Sequence, residues 1–500
     1  MFGNSRSLFG GDFTRRLRHL GLAVCLGVPV GVATAVVSDG AAFAAIHTVM
    51  NCDNSGAGSL RGAVGAASPG DTIEFSSTAT CSSATPITLS STISITKNLT
   101  IQGPGANNLF VSGNNSVDVF SIASGKKVTI STLTIEDGPL LGTSISNSGT
   151  LTLKNSNVSG SDGDGVDNSG TLNVIDSTIS GNAAGIFTDA GTVNVTNNTL
   201  SDNGEGISSS GGTTNVTDST LSGNGDGVLP EGGTTNVTDS TLSGNDNGIF
   251  TDAGTVNVTT STLSDSDEDG VFTTGGTTNV NRSTFSGNST GIFTDGGTVS
   301  LGTSTVSGNY QYGIAADAGT TNVTNSTLSD DDNGTFNGGG TVNLTATILG
   351  DDAGGDCSGG VTDEGYNIDD DSSCTFSATG SVNDSPTLDS HLGPLAYNGG
   401  PTQTIAILSG SPAIDKVPAI DCPATDQRGV ARTAPCDIGA YDTDGNGEFP
   451  YLTVSGPPSA TRWSPFQVTV TALNANGTID KGFSGTVSFT STDSSAVLPA

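Results

Sequence analysis

The stretch GGTTNVTDSTLSGN at Gly211–Asn224 returns letter for letter at Gly232–Asn245. It belongs to a longer register, in which Leu153, Val174, Val195, Val216, Val237, Val258, Val280, Leu301, Val323 and Leu344 follow one another at steps of 21 or 22 residues. A period this constant assigns one structural unit to each repeat, each stacked on the last.

Within a repeat the apolar positions alternate over short runs. Val193 and Val195 flank Asn194, Leu200 follows Thr199, and Ile207 follows a Gly-containing turn. This is period-two strand patterning in three short pieces, separated by corners such as SGN, DNG and DAG. The density of Thr, Val, Asn and Gly also disfavours helix. The pattern predicts an all-β fold, a single-stranded parallel β-helix with about 21 residues per coil. Its right hand follows from the crossover preference of parallel strands. At ~4.8 Å per coil the aligned repeats would span about 45 Å.

Stacking constrains how each polar residue is read. With Val216 pointing inward, alternation places Thr214 inward and Thr213, Asn215 and Thr217 outward. The same outward triplet recurs as Thr192, Asn194, Thr196, then Thr234, Asn236, Thr238, then Thr255, Asn257, Thr259, and later from Thr320 and from Thr341. Stacked Thr and Asn can hydrogen-bond along the ladder, which is a scaffold role. A flat array of this kind would also suit an ordered lattice such as a polysaccharide. Phe187, Leu229, Phe250, Phe272 and Phe293 each follow a Gly-aliphatic pair in register. With the aliphatic residue inward they form an outer stripe, and Phe250, Phe272 and Phe293 are the candidate ligand-binding face for sugar rings. Packing into a corner is the alternative.

The net charge of −34 makes nucleic acid and anionic membranes poor partners and divalent cations plausible ones. Residues 1–45 read as a secretory signal: Arg6, Arg15, Arg16 and Arg18 precede an apolar run from Leu20 to Val37, and Ala42-Phe43-Ala44 offers a cleavage site. A retained membrane helix is the alternative. Beyond it stand Cys52, Cys81, Cys357, Cys374, Cys422 and Cys436, an even number with no CxxC spacing. In an exported chain this favours disulfides over zinc. Their clustering favours neighbours: Cys52 with Cys81, Cys357 with Cys374, and Cys422 with Cys436.

A glycoside hydrolase needs carboxylates at set separations on one face. Asp189, Asp252, Asp295 and Asp317 instead share one turn of their repeats, where Asp is a good turn residue. Between residues 140 and 356 the basic side chains are Lys154 and Arg282, with no His. No catalytic residue and no cofactor is nominated. Calcium has a better candidate in Asp442, Asp444, Asn446 and Glu448, which match the first half of a calcium loop, although Thr453 stands where such a loop needs Glu. A plain linker turn is the alternative. The acidic corners Asp265 to Asp269 and Asp330 to Asp332 would hold calcium weakly.

The ends carry recognisable sequence. GSLRGAVGAASPGDTIEF (58–75) and ITKNLTIQGPGANN (95–108) resemble the N-terminal region of bacterial surface β-helix proteins of the CSLREA type, with GSLRGA in place of the name motif. LGPLAYNGGPTQTIAILSGSPAID and CPATDQRGVARTAPCDIGAYD, within 388–441, resemble the choice-of-anchor family Q region that closes such solenoids. Residues 451–500 resemble the start of a bacterial immunoglobulin-like domain, a β-sandwich that would continue past residue 500. The organisation read from sequence is therefore signal 1–45, N-terminal cap and first coils 46–140, regular coils 141–356, C-terminal cap 357–441, acidic linker 442–450 and partial immunoglobulin-like domain 451–500. These resemblances imply an exported bacterial cell-surface or secreted protein, structural or adhesive and non-catalytic, with surface polysaccharide as partner. The rival is a carbohydrate-active enzyme, a polysaccharide lyase or glycoside hydrolase on the same kind of β-helix.

Overall fold

The structure is a computed structural model that describes residues 44–443, 451–455 and 468–473 of the chain. Most coils contribute three short strands, and in two others the first two merge into one strand, Thr290–Gly302 and Tyr312–Thr324. In one of the three-stranded coils these are Ala184–Thr188 on a first face, Thr192–Thr196 on a second and Thr199–Ser201 on a third. Strands of the first two faces join in one 26-stranded sheet, and the third face forms a 13-stranded sheet. Among the described residues the pairings between coils are parallel, and in the middle coils they are in register, so Val195 lies beside Val216 and Val216 beside Val237. The chain forms a right-handed parallel β-helix, as the period predicts.

Alternation decides what fills the tube. Along Thr213–Thr217 the residues run half-buried, buried, half-buried, buried, half-buried, with Val216 fully buried. Ile186, Leu200, Leu221, Val237 and Leu242 are likewise fully buried, each contributing about 2 kcal/mol by leaving water. Outside, the predicted asparagine ladder is closed. The side-chain amide of Asn215 donates to Asn194, Asn236 to Asn215 and Asn257 to Asn236, each at 2.9 Å.

The corner after the second face needs a left-handed residue. Asp176, Asp218 and Asp239 occupy it at φ +49°, a conformation Asp and Asn tolerate better than other side chains. The corner after the third face holds a second, internal ladder that sequence reading took for plain turns. Asn203 accepts from the backbone N–H and side-chain amide of Asn182, and Asn224 does the same for Asn203, at 3.0–3.1 Å. These side chains are buried, and the ladder satisfies donors that water cannot reach.

The ends of the solenoid are covered differently. At the N-terminal end a helix, α1 (Leu60–Ala66), buries Leu60 and Val64 against the core. Ser59 caps its start by accepting from the N–H of Gly62 at 3.0 Å, and Lys97 donates to the carbonyls of Val64, Gly65 and Ala67 at its end. At the C-terminal end Cys374 and Phe376 join the core as a plug tied by the Cys357–Cys374 disulfide. Cys52–Cys81 and Cys422–Cys436 are also bonded, so all three neighbour pairings inferred from clustering are present.

Residues 388–441, read from sequence as part of an end cap, pack on Ala346, Ile348 and Ile368 of the last coils and run along the flank of the third face. The buried Gln427 donates to the carbonyl of Ser283 at 3.1 Å and the hydroxyl of Thr284 at 3.0 Å, and accepts from the hydroxyl of Thr305 at 2.6 Å. The N–H of Ala440 donates to the hydroxyl of Thr327 at 3.0 Å. This strap contains an antiparallel pair, Leu392–Ala396 with Thr404–Ile407. A separate antiparallel pair, Tyr451–Ser455 with Thr469–Leu473, is what the structure describes of the region read as immunoglobulin-like. The signal-like segment up to residue 43 lies outside the described residues.

Candidate functional site

The first face carries two rows that run along the coils, an outward one through the Phe residues and a more deeply buried one at the strand starts. The row at the strand centres reads Asp167, Phe187, Ser208, Leu229, Phe250, Phe272, Phe293, Ala315 and Phe336. The aliphatic neighbours Ile249, Val271 and Ile292 are fully buried, so their Phe partners point out, as the Gly-aliphatic register predicts. Phe250, Phe272 and Phe293 are half-buried and stack on one another, with ring centroids 4.9 and 5.1 Å apart and planes inclined by 17° and 8°.

That geometry defines what the stripe offers. Strand spacing of ~4.8 Å holds the rings face to face, so each face within the stack is covered by its neighbour and the ring edges point to solvent. Stacked pairs contribute about 1 kcal/mol each beyond burial, which gives the stripe a structural role as well. The stack meets Ala315 beyond Phe293, and the next aromatic contact is Tyr312 with Phe336, centroids 4.8 Å apart.

The second row, at the strand starts, was missed at the sequence level. Asp164, Glu205, Asp226, Asn247 and Asp269 stand in the same register of their coils, with Glu205 beside Asp226 and Asp226 beside Asn247. Burial pushes the Asp164 carboxyl up to about 6, helped by Asp167 and Glu205. Burial pushes Asp269 up to about 7, with Glu268 adding to it and a hydrogen bond from Thr290 opposing it. Glu205 and Asp226 are raised for the same first reason, and by acidic neighbours. Asn247 tempers the row by donating to Asp226 at 3.1 Å and Glu268 at 3.3 Å. The signal was an acid or amide two residues before the inward aliphatic in five of the repeats, at Asp164, Glu205, Asp226, Asn247 and Asp269. These carboxylates hold ladder positions, one per coil, and do not converge from different elements.

The calcium-loop candidate is divided. Asp442 is buried against the strap, its carboxylate 3.6 Å from Arg432, while Asp444, Asn446 and Glu448 lie outside the described residues. Arg428 pairs with Asp426 at 2.7 Å and lies over the ring of Tyr441. A shallow cavity of about 220 Å³ beside α1 is lined by Arg61 and Lys97. Both cations are occupied there by backbone carbonyls, including those of Thr92 and Ala67.

Family models agree with the fold. A model of the right handed beta helix region matches residues 72–224, and one of the periplasmic copper-binding protein NosD matches residues 167–310. No curated protein matches the chain. Among solved structures, pectate lyase Pel9A aligns with 80% of this chain and 97% of its own, at 12% identity and a TM-score of 0.31. The chain is a β-helix protein.

Proposed function

We propose that this protein is an extracytoplasmic structural and adhesive β-helix, exported to the bacterial surface or beyond, whose first face contacts polysaccharide through the Phe250–Phe272–Phe293 ridge. The observation that carries this reading is the ladder itself. The outer Asn side chains hydrogen-bond to their own counterparts in the next coil, as Asn215 does to Asn194 at 2.9 Å, so these polar groups build the wall. The aromatic ridge is the feature on that wall with apolar edges to offer. Three disulfides and the match to a periplasmic family model support an oxidising, extracytoplasmic setting.

The test is glycan-array binding by the wild type and by the F250S/F272S/F293S variant, with thermal melts of both. Binding by the wild type and its loss in a folded variant supports the ridge. Absence of glycan binding by the wild type removes polysaccharide from the reading and leaves the structural role.

A carbohydrate-active enzyme is the second reading, favoured by the raised carboxyl of Asp269, which opens the strand that carries Phe272. Release of new reducing ends from a polysaccharide panel, abolished in D269N, would establish it.

A further inference from the structure

The first coil is pinned at the residue where the chain enters it. Ile46–Val49 pairs in parallel with Thr72–Phe75, with Ile46 beside Thr72. Hydrogen bonding begins one residue earlier, at Ala45. Its carbonyl accepts from the N–H of Thr72 at 2.9 Å, and its own nitrogen donates to Oδ1 of Asp71 at 2.8 Å. Ala44 is exposed and makes no backbone hydrogen bond to a described residue.

Asp71 is a buried carboxylate. Its Oδ2 accepts from the N–H of Ser68 at 2.7 Å and lies 2.9 Å from Nε2 of His47. The hydrogen bonds from Ser68 and Ala45, with His47 after them, hold this carboxyl down to about 2, so it is ionised throughout the neutral range. Among the described residues its ion-pair partner is His47, which carries charge only when protonated. A buried carboxylate held by neutral donors gains from a full positive charge placed at the same distance.

The sequence puts such a charge one bond cleavage away. Ala42-Phe43-Ala44 is the small-x-small pattern at which an export-associated endopeptidase cuts. Hydrolysis after Ala44 breaks the Ala44–Ala45 peptide bond. The oxygen of a water molecule joins the Ala44 carbonyl carbon, which leaves as a carboxylate, and both protons of that water end on the nitrogen of Ala45 as an ammonium group.

We propose that the chain is processed between Ala44 and Ala45 and that Asp71 receives the new α-ammonium group, closing the first coil with an ion pair. This rests on the export reading above. The segment read as a signal then ends at Ala44, and Ala45 belongs to the coil. The 2.8 Å contact made by one amide N–H becomes charge-assisted, and because Ala45 is exposed the other ammonium donors reach water. Cleavage at Gly40-Ala41-Ala42, the neighbouring small-x-small site, would leave Phe43 and Ala44 in front and keep a neutral amide at Asp71.

N-terminal sequencing and intact mass of the chain recovered from outside the cytoplasm of an expressing bacterium should give Ala45 as the first residue. Hydrogen exchange at about pH 7, where an α-amino group is charged, is then compared between that chain and one carrying Gly-Ser before Ala45. The extension keeps the amide contact and removes the charge. The strands Ile46–Val49 and Thr72–Phe75 should exchange about tenfold faster in the extended chain, and D71N should abolish the difference. Another first residue in exported protein would overturn the proposal and leave export standing, whereas an unprocessed chain held in the cytoplasm would overturn both. Equal exchange with and without the extension would overturn the role of Asp71, and that comparison stands whether or not D71N folds.

Discussion

Thr220 and Thr241 on the third face are exposed, whereas Thr284, Thr305 and Thr327, in the same register a few coils later, are buried. Nothing in the local sequence separates the two groups, since each opens a strand of the Thr-apolar-Ser type. The difference is the strap, which lies along one half of the flank and leaves the other half to water. Identical rungs of a solenoid therefore have different energetics, set by what arrives from elsewhere in the chain.

The largest break in this comparison is expected from Gln427→Leu. It removes the donors to Ser283, Thr284, Thr402 and Gln403 and the acceptor for Thr305. Losing this buried network, and with it the partner of the Thr305 hydroxyl, should cost about 3 kcal/mol in chemical denaturation. Hydrogen exchange should rise across Ser283–Ser329 and stay unchanged across Thr199–Ser264. A uniform rise would mean that the strap does not stabilise its own half selectively.

The free half has its own device. Asp269 is buried and its folded value is raised to about 7, so it is protonated in the fold where the unfolded chain has already lost the proton. Its contribution is fully present below pH ~4 and is lost as the pH climbs from there to about 7. Asp269→Asn, which copies Asn247 in the preceding coil, should gain about 2 kcal/mol at pH 8 and nothing near pH 4, measured in EDTA. A gain independent of pH would assign the effect to packing.

Thr305→Val against Thr241→Val is the most direct version. The first strands the buried acceptor of Gln427 and should cost about 1.5 kcal/mol, and the second should stay within about 0.5 kcal/mol. The smallest expected effect is a gain. Thr214 and Thr235 point into the core with hydroxyls that find no partner, where neighbouring coils carry Val193 and Val256. Thr214→Val should add about 1 kcal/mol to stability, read from the denaturation midpoint.

What was legible in the sequence was what repeats. The step from Val195 to Val216 to Val237 gave the coil, its inward residues, the outer Asn ladder and the direction of Phe250, Phe272 and Phe293. Local clustering gave the disulfides. The strap was not legible, because Gln427 meets Ser283 across 144 positions of chain with no period relating them. Helix α1 was missed because seven residues carry too little periodicity to announce themselves. The acidic row and the internal Asn ladder did have a signal at the repeat interval. They were passed over because a corner residue looks the same in sequence whether its side chain faces water or the core.

The in-register stacking of the middle coils has a consequence for size. Excising Gly211–Glu231 would bring Asn194 to meet Asn236 in the way it now meets Asn215, and Leu200 to meet Leu242 in place of Leu221. Both terminal fittings would stay as they are, since neither touches those residues through a hydrogen bond or a disulfide. The distance between the two ends is thus adjustable in increments of ~4.8 Å by adding or removing one repeat, with no new interface to invent.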